Sequence, residues 1–378
     1  MILSFQALRN ITSEYCDFNP AIYTNLGAPS LTINHIQPAS IDLPISNRCY
    51  RISVSSAPKR GESINSLIER FALHEFEIKP EGSHLEKGGT YLIPLSVSLN
   101  LPLNLRAVFS AKSTTGRNGL FARNMSDGNP ELDVTPYGYN GELFVEVSPL
   151  RFHTTIYPWS PLTQLRLVCR NESSSPLTDA ELFDLHKTQG LVFDQITGKK
   201  IDPVIEDGAL YLHLDLRGKT AGYESIPNLQ EPVHVGRVEV DDRESFWRPV
   251  RLDRHGDVVI QPPSFYLFAT KERVFIPSEV SAVMQDYSAN LGEFSSHEAG
   301  FFDNSFGFND GVNFGTQAVL EVHPSRMPIL LRDGHPVCRM VFYRTDGVPE
   351  KLYGGSSGSH YLGTGPSLAK NFKCFREW

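Results

Sequence analysis

Glu146-Val147-Ser148-Pro149-Leu150-Arg151 and Glu321-Val322-His323-Pro324-Ser325-Arg326 spell one pattern, Glu-Val-x-Pro-x-Arg, twice in the same chain. The two copies lie 175 residues apart, and other anchors keep that offset. Tyr91-Leu92 matches Tyr266-Leu267, and Pro102 matches Pro277. Three anchors in one register predict a duplicated domain, because self-similarity at a fixed period marks a repeated folding unit. Around the anchors the pattern has period 2, as in Thr90-Tyr91-Leu92-Ile93-Pro94-Leu95-Ser96-Val97-Ser98-Leu99 and Leu143-Phe144-Val145-Glu146-Val147. Short alternating segments punctuated by Pro, Gly and Asn predict a mainly β chain, built as barrels or sandwiches with few helices.

The rest of the chain fits two such units. A length of 378 residues allows two or three domains with proper cores. Hydrophobic residues at 40% and charged residues at 21% are ordinary globular values, and 29 Gly and 26 Pro are spread through turns. Helices are predicted at Ser63 to Phe71 and at Thr178 to His186, where Thr178 and Glu181 have the spacing of a capping box. Asn171-Glu172-Ser173-Ser174-Ser175-Pro176-Leu177-Thr178 is a polar, turn-forming run that closes the first block. The domain reading is therefore 1-170 as the first copy, 171-235 as a connector with a helix, and 236-378 as the second copy with a mobile tail.

Charge and cysteines narrow the function. A net charge of −8 predicts no broad basic face for nucleic acid. Any phosphate must then be held locally. Cys16, Cys49, Cys169, Cys338 and Cys374 are odd in number, widely spaced and form no Cys-x-x-Cys pair, so neither a disulfide framework nor a protein-bound zinc is expected. No apolar run approaches the roughly 18 residues of a membrane span, and residues 1–10 lack a signal-peptide pattern. A soluble, cytoplasmic protein without a membrane partner is expected.

Two kinds of residue could carry chemistry. Lys112-Ser113-Thr114-Thr115-Gly116-Arg117 packs two cations, three hydroxyls and a glycine into six residues. Such a loop suits an oxyanion, since glycine permits close approach and Arg offers a planar fork; a solvated polar turn reads equally well. Glu146 and Glu321 each interrupt an apolar strand. By alternation Glu321 shares a face with Val319 and His323. It is either a buried carboxylate available for proton transfer, a group on a wet face, or one half of a structural ion pair with the following Arg326. In the second copy, Ala299-Gly300-Phe301-Phe302-Asp303-Asn304-Ser305-Phe306-Gly307 places Asp303 after an aromatic pair and before a turn. The tail around Tyr361, from Gly358 to Ser367 with Lys370 beyond, is glycine-rich. It reads either as a segment closing over a nucleotide or as a frayed terminus.

Together these segments resemble the dCTP deaminase branch of the dUTPase-like superfamily, in its long bacterial form with two tandem domains. Gln37-Pro38-Ala39-Ser40-Ile41-Asp42-Leu43 resembles the family's opening motif, and Lys112 to Arg117 its Ser-x-x-x-Arg motif. Ala299 to Gly307 and Ala318-Val319-Leu320-Glu321 resemble its third motif and its glutamate strand. The resemblance implies two dUTPase-like distorted β-barrels of β-clip type. It implies hydrolytic deamination of dCTP to dUTP and ammonia, with Mg²⁺ carried on the triphosphate and no zinc. The two-part zinc-deaminase signature lacks its Pro-Cys-x-x-Cys half here, in agreement. By similarity Glu321 handles the water proton, and Ser113, Arg117 and the Ala299 carbonyl position and stabilise. Lys112, Thr114, Asp303, Tyr361 and Lys370 bind the nucleotide. A dTTP inhibitor and a homo-oligomer with trimer-like domains are further implications.

The departures are informative. In the first copy Pro136 stands where the third motif has Asp, with Asp133 the nearest acid; the second copy has no Arg at the position matching Arg117. Each copy thus keeps half of one catalytic set, which predicts a shared active site and a structural or vestigial Glu146. His360 and Thr364 replace the family's Lys and Gln in the tail, and eight extra residues precede Glu321. A dUTP diphosphatase, alone or combined with deamination, is the nearest alternative, although the Arg-Gly…Gly-Phe-Gly tail of dUTPases is missing. A nucleotide-binding regulator with a dead site is the alternative from another class.

Overall fold

The computed structural model describes residues 1–16, 19–171, 175–286, 294–295, 299–308, 315–324, 326–354 and 365–373. Two compact units emerge: the first comprises residues 1–174, 230–237 and 345–350, the second residues 175–229, 238–344 and 351–378. None of the described helices is long and apolar enough to cross a membrane.

In the first unit an antiparallel sheet runs in the order Ala72–Glu77, Arg48–Ile52, Thr90–Asn100, Asn140–Pro149, Leu120–Ser126, with Ile22–Thr24 also pairing to Thr90–Asn100. A second sheet places Pro161–Cys169 between Ile41–Pro44 and Leu105–Ala111. A third joins Ser83–Leu85, Thr154–Ile156 and Val233–His234. The core is apolar from several strands, with Ile41, Leu43, Ile93, Val97, Ala107, Val145, Leu165 and Leu167 all buried. Each fully buried Leu, Ile or Val contributes roughly 1.5–3 kcal/mol, so the alternation read from sequence is what closes the sheets on each other.

The second unit repeats several of these pairings at the same offset. Leu105–Ala111 pairs with Pro161–Cys169, and 175 residues later Val280–Asp286 pairs with Pro336–Arg344. Ser83–Leu85 with Thr154–Ile156 recurs as Val258–Ile260 with Ile329–Leu331. Thr90–Asn100 with Asn140–Pro149 recurs as Tyr266–Val274 with Thr316–Pro324, in a register that sets Leu92 opposite Glu146 and Leu267 opposite Glu321. Even a side-chain detail is duplicated: the Glu86 amide donates to the Tyr91 hydroxyl at 2.9 Å, and the Gln261 amide to the Tyr266 hydroxyl at 3.1 Å.

Both predicted helices form. Ile64–Phe71 starts after Ser63, whose side chain accepts from the Ser66 amide. Asp179–Gln189 starts after Thr178 with a complete capping box to Glu181, each such cap stabilising by about 1 kcal/mol. The stretch from 175 to 229, read from sequence as connector, packs within the second unit. Leu177, Leu182, Val192, Leu210, Leu212 and Leu214 join its core. Val192–Asp194, Ala209–Asp215 and Tyr223–Ser225 are strands bonded to Tyr266–Val274. The reason is the repeat itself, which begins again with a helix and a short strand. The second unit thus starts near residue 175.

Candidate active site

In the second unit Thr316–Pro324 is buried at every position. One face, with Ala318, Leu320 and Val322, joins the core. The other carries Gln317, Val319, Glu321 and His323. Glu321 is therefore not on a wet face: it is 3% exposed, and its Oε2 accepts from the Ala299 amide at 3.0 Å. The two residues singled out from the third motif and the glutamate strand thus meet directly. His323 is buried too, its ring stacked on Phe265 at 4.3 Å between centroids.

Asp303 is buried at the head of a turn in which the Phe306 amide donates to the Asp303 carbonyl at 3.1 Å. Ser305, which stands at a glycine-like position, adopts φ of +66°, a left-handed conformation rare outside Gly and Asn. Gly307 follows at φ of +82°, where a Cβ would come within 2.3 Å of the Val274 carbonyl oxygen, so only glycine fits.

Tyr361 and the segment 355–364 lie outside the described residues. Between Gly365 and Lys373 the tail is packed, with Leu368, Ala369, Asn371 and Phe372 fully buried. Phe372 meets Phe246 edge-on at 5.7 Å and Trp247 at 6.1 Å. Lys370 sits half-buried in this clamped stretch, its carbonyl accepting from the Glu239 amide at 2.9 Å. The described part of the tail is anchored by these contacts.

In the first unit, Ser113–Gly116 forms a single helical turn with Lys112 at its head. Backbone bonds from Gly116 to Lys112 and from Arg117 to Ser113, both 3.0 Å, hold it. The Thr115 hydroxyl donates to the Leu162 carbonyl at 2.7 Å, and the Asn118 amide side chain to the Thr114 carbonyl at 2.7 Å. Thr114 and Arg117 are each 7% exposed. The turn is held by these backbone and hydroxyl bonds, and Arg117 is buried at its end. The Lys112 ammonium is ion-paired with Asp42 of the opening motif. Gln37 also donates to that carboxylate, at 3.3 Å. Lys112→Ala should leave the buried Asp42 without its cation and destabilise the chain by roughly 1–3 kcal/mol. Urea melts measure this, and an unchanged midpoint would show that the pair does not stabilise the fold.

Glu146 occupies the register of Glu321 but has other company. It is 1% exposed, accepts from the Ser55 hydroxyl at 2.5 Å, and keeps its second oxygen buried without a hydrogen-bond partner among the described residues. Its strand partners are Leu92 and Arg123. Burial pushes its carboxyl above the usual range, against the opposing pull of Ser55, the Ser56 backbone and Arg123. A raised folded-state pKa means that the group favours folding when protonated, and that this is lost as pH rises through the folded value. Relative to wild type, Glu146→Gln should therefore gain stability as pH climbs from the ordinary carboxyl range to neutrality. Melts across that range test it; a pH-independent difference would contradict the burial argument.

Sequence reading did not find Ser55, the Asp42 partner of Lys112, or Gln317. Gln317 carried a usable signal, since it falls on the alternation face of Glu321, and Asp42 stands in the opening motif quoted above.

A duplicated barrel of short strands, with a buried carboxylate strand and an Arg-bearing turn, defines the class of β-clip proteins with the dUTPase-like fold. Residues 24–172 match the family model described as the 2'-deoxycytidine 5'-triphosphate deaminase N-terminal domain, and residues 178–372 match the C-terminal domain of the same description. The chain belongs to the 2'-deoxycytidine 5'-triphosphate deaminase family. The crystal structure of 2'-deoxycytidine 5'-triphosphate deaminase from Agrobacterium tumefaciens is 32% identical, with a TM-score of 0.83, covering 94% of this chain and 99% of that one. The "dCTP deaminase, dUMP-forming" of Methanosphaera stadtmanae is 28% identical over 186 residues, 48% of this chain and 85% of the relative. That of Beutenbergia cavernae is 29% identical over 135 residues, 35% and 67% respectively.

Proposed function

We propose that this chain hydrolyses dCTP, taken as its Mg²⁺ complex, to dUTP and ammonia, and so supplies dUTP toward thymidine nucleotides. The observation that carries this reading is the buried Glu321 carboxylate held against the Ala299 amide, within the segment matched by the family's C-terminal domain. Glu321 takes one proton from water as the oxygen attacks C4 of cytosine and delivers it to the ring nitrogen, then moves the second, from the new C4 hydroxyl, to the departing amine. The C4–N bond breaks, C4–O forms, and ammonia leaves. The chain's sequence supplies no Cys-x-x-Cys pair for a zinc-activated water. A positioned carboxylate contributes on the order of 10²–10⁴-fold. Positioning and charge stabilisation supply the remainder, and these tasks fall to Ser113, Thr114 and Arg117, with Asp303 and Lys370 on the nucleotide. Lys112 contributes by holding Asp42.

A second reading, deamination followed by diphosphate release to dUMP, is favoured by the dUMP-forming names of the relatives from Methanosphaera stadtmanae and Beutenbergia cavernae. One experiment separates the readings. Incubation with dCTP and Mg²⁺, following ammonia, pyrophosphate and the nucleotide product, should give ammonia and dUTP. Ammonia with pyrophosphate and dUMP would establish the second reading, and pyrophosphate from dUTP without ammonia from dCTP would overturn both.

A further inference from the structure

We infer that Gln317 is a positioning residue for the reaction proposed above: its amide ties the segment 365–373, which carries Lys370, to the strand face that carries Glu321. The inference rests on that functional reading and adds a residue to it.

Gln317 and Glu321 lie four residues apart on the non-core face of Thr316–Pro324, a separation of about 13 Å at strand rise. Two segments dock on this face through their backbone amides. Ala299 donates to Glu321, and Gly365 donates to Oε1 of Gln317 at 2.6 Å.

The Gln317 amide is fully committed and can point only one way. Its Nε2 donates to the Thr270 carbonyl at 2.5 Å and to Asp215 Oδ2 at 3.2 Å. Both partners are acceptors, so a flipped amide would set oxygen against oxygen. Oε1 is thereby aimed at Gly365. Thr270 is itself locked, accepting at its hydroxyl from the Ala318 amide at 3.0 Å. Gln317, Asp215 and Thr270 are 3%, 5% and 0% exposed. A buried amide is costly unless every polar atom is satisfied, and an apolar residue would fill this strand position without that demand.

The far end of the segment is held separately. Asn371 Nδ2 donates to Asp241 Oδ2 at 2.7 Å, the Val240 and Asp241 amides donate to the Asn371 carbonyl at 2.8 and 2.9 Å, and Phe372 packs against Phe246 and Trp247. Those contacts suffice to fix residues 371–373. What Gln317 adds is the Gly365 end, so that Lys370 is carried on a stretch fastened at both sides. A contact of this kind acts on bound nucleotide before and during reaction alike, and its loss should appear in KM more than in kcat.

The test compares the full-length chain with Gln317→Leu, measuring kcat and KM for dCTP and backbone hydrogen exchange. Q317L should raise KM by about five- to thirty-fold, the effect of losing one to two kcal/mol, with kcat within about threefold. Exchange should quicken at residues 365–370 and stay unchanged in Thr316–Pro324. Unchanged exchange at 365–370 would overturn the tie. Faster exchange with an unaltered KM would overturn the positioning role. Should Q317L fail to fold, the near-isosteric Gln317→Met removes the same hydrogen bonds and is expected to give the same KM-dominated change; an unaltered KM would equally overturn the role. Wild-type chain that releases no ammonia from dCTP would sink the functional reading, while the exchange comparison would still decide whether Gln317 holds the segment.

Discussion

Glu321→Gln should retain its fold and lose deamination by at least 10²–10⁴-fold, the order contributed by general acid–base catalysis. The substitution is nearly isosteric, and the glutamine oxygen can still accept from the Ala299 amide that Glu321 now binds at 3.0 Å. What it removes is the capacity to take and return a proton. Glu146→Gln is the matched control, because both carboxylates sit at one register of duplicated strands and both are buried. It should keep deamination within a few-fold of wild type. The difference lies in what each carboxylate meets. Glu146 is bonded by Ser55 beside a cluster formed by Tyr50, Ile52, Leu92, Met125 and Phe144. Glu321 meets the backbone of the third-motif segment instead. Ammonia release by both variants checks the assignment, and an active Glu321→Gln beside an inactive Glu146→Gln would move the base to the first unit.

That contrast also shows how far sequence could reach. The duplication was legible because its anchors hold one offset, and strand pairing then preserves the offset across the fold. The helix Asp179–Gln189 was legible because its capping box is a local signal complete within four residues. Strands such as Val192–Asp194 and Tyr223–Ser225 were not, being three residues long and paired to residues far along the chain, Val192 to Val274 and Tyr223 to Leu267. They lie inside the stretch 171–235 that was read as a connector. The helical turns Phe5–Asn10 and Arg243–Phe246 likewise contain too few residues to display a period. At the site, alternation put Glu321 on a face but could not tell a wet face from a covered one. The cover comes from residues 299 and 365, which no period links to the strand. Lys112 illustrates the same limit, since its partner Asp42 lies 70 residues earlier.

The second large effect is expected at Arg117. Arg117→Ala should lower kcat/KM for dCTP by roughly 10²–10³-fold or more, the range for removing one preorganised donor from developing charge. The turn that carries it is fixed without its side chain, through the Gly116, Arg117 and Gly119 amides and the Thr115 hydroxyl on Leu162. Loss of the guanidinium should therefore be read in activity rather than in the backbone of residues 112–119, and thermal melts on the same variant check that separation. Arg117→Lys sharpens the argument, because it keeps the charge but lacks the planar fork that binds two oxygens at once. If the fork matters, the lysine variant should recover only a minor part of the loss. If charge alone matters, it should approach wild type, and Arg117 would then act as a general cation. Lys112 cannot make up the deficit in either case, since its ammonium is already committed to Asp42. An Arg117→Ala variant with undiminished turnover would remove the first unit's turn from the reaction and leave the second unit to supply every catalytic group.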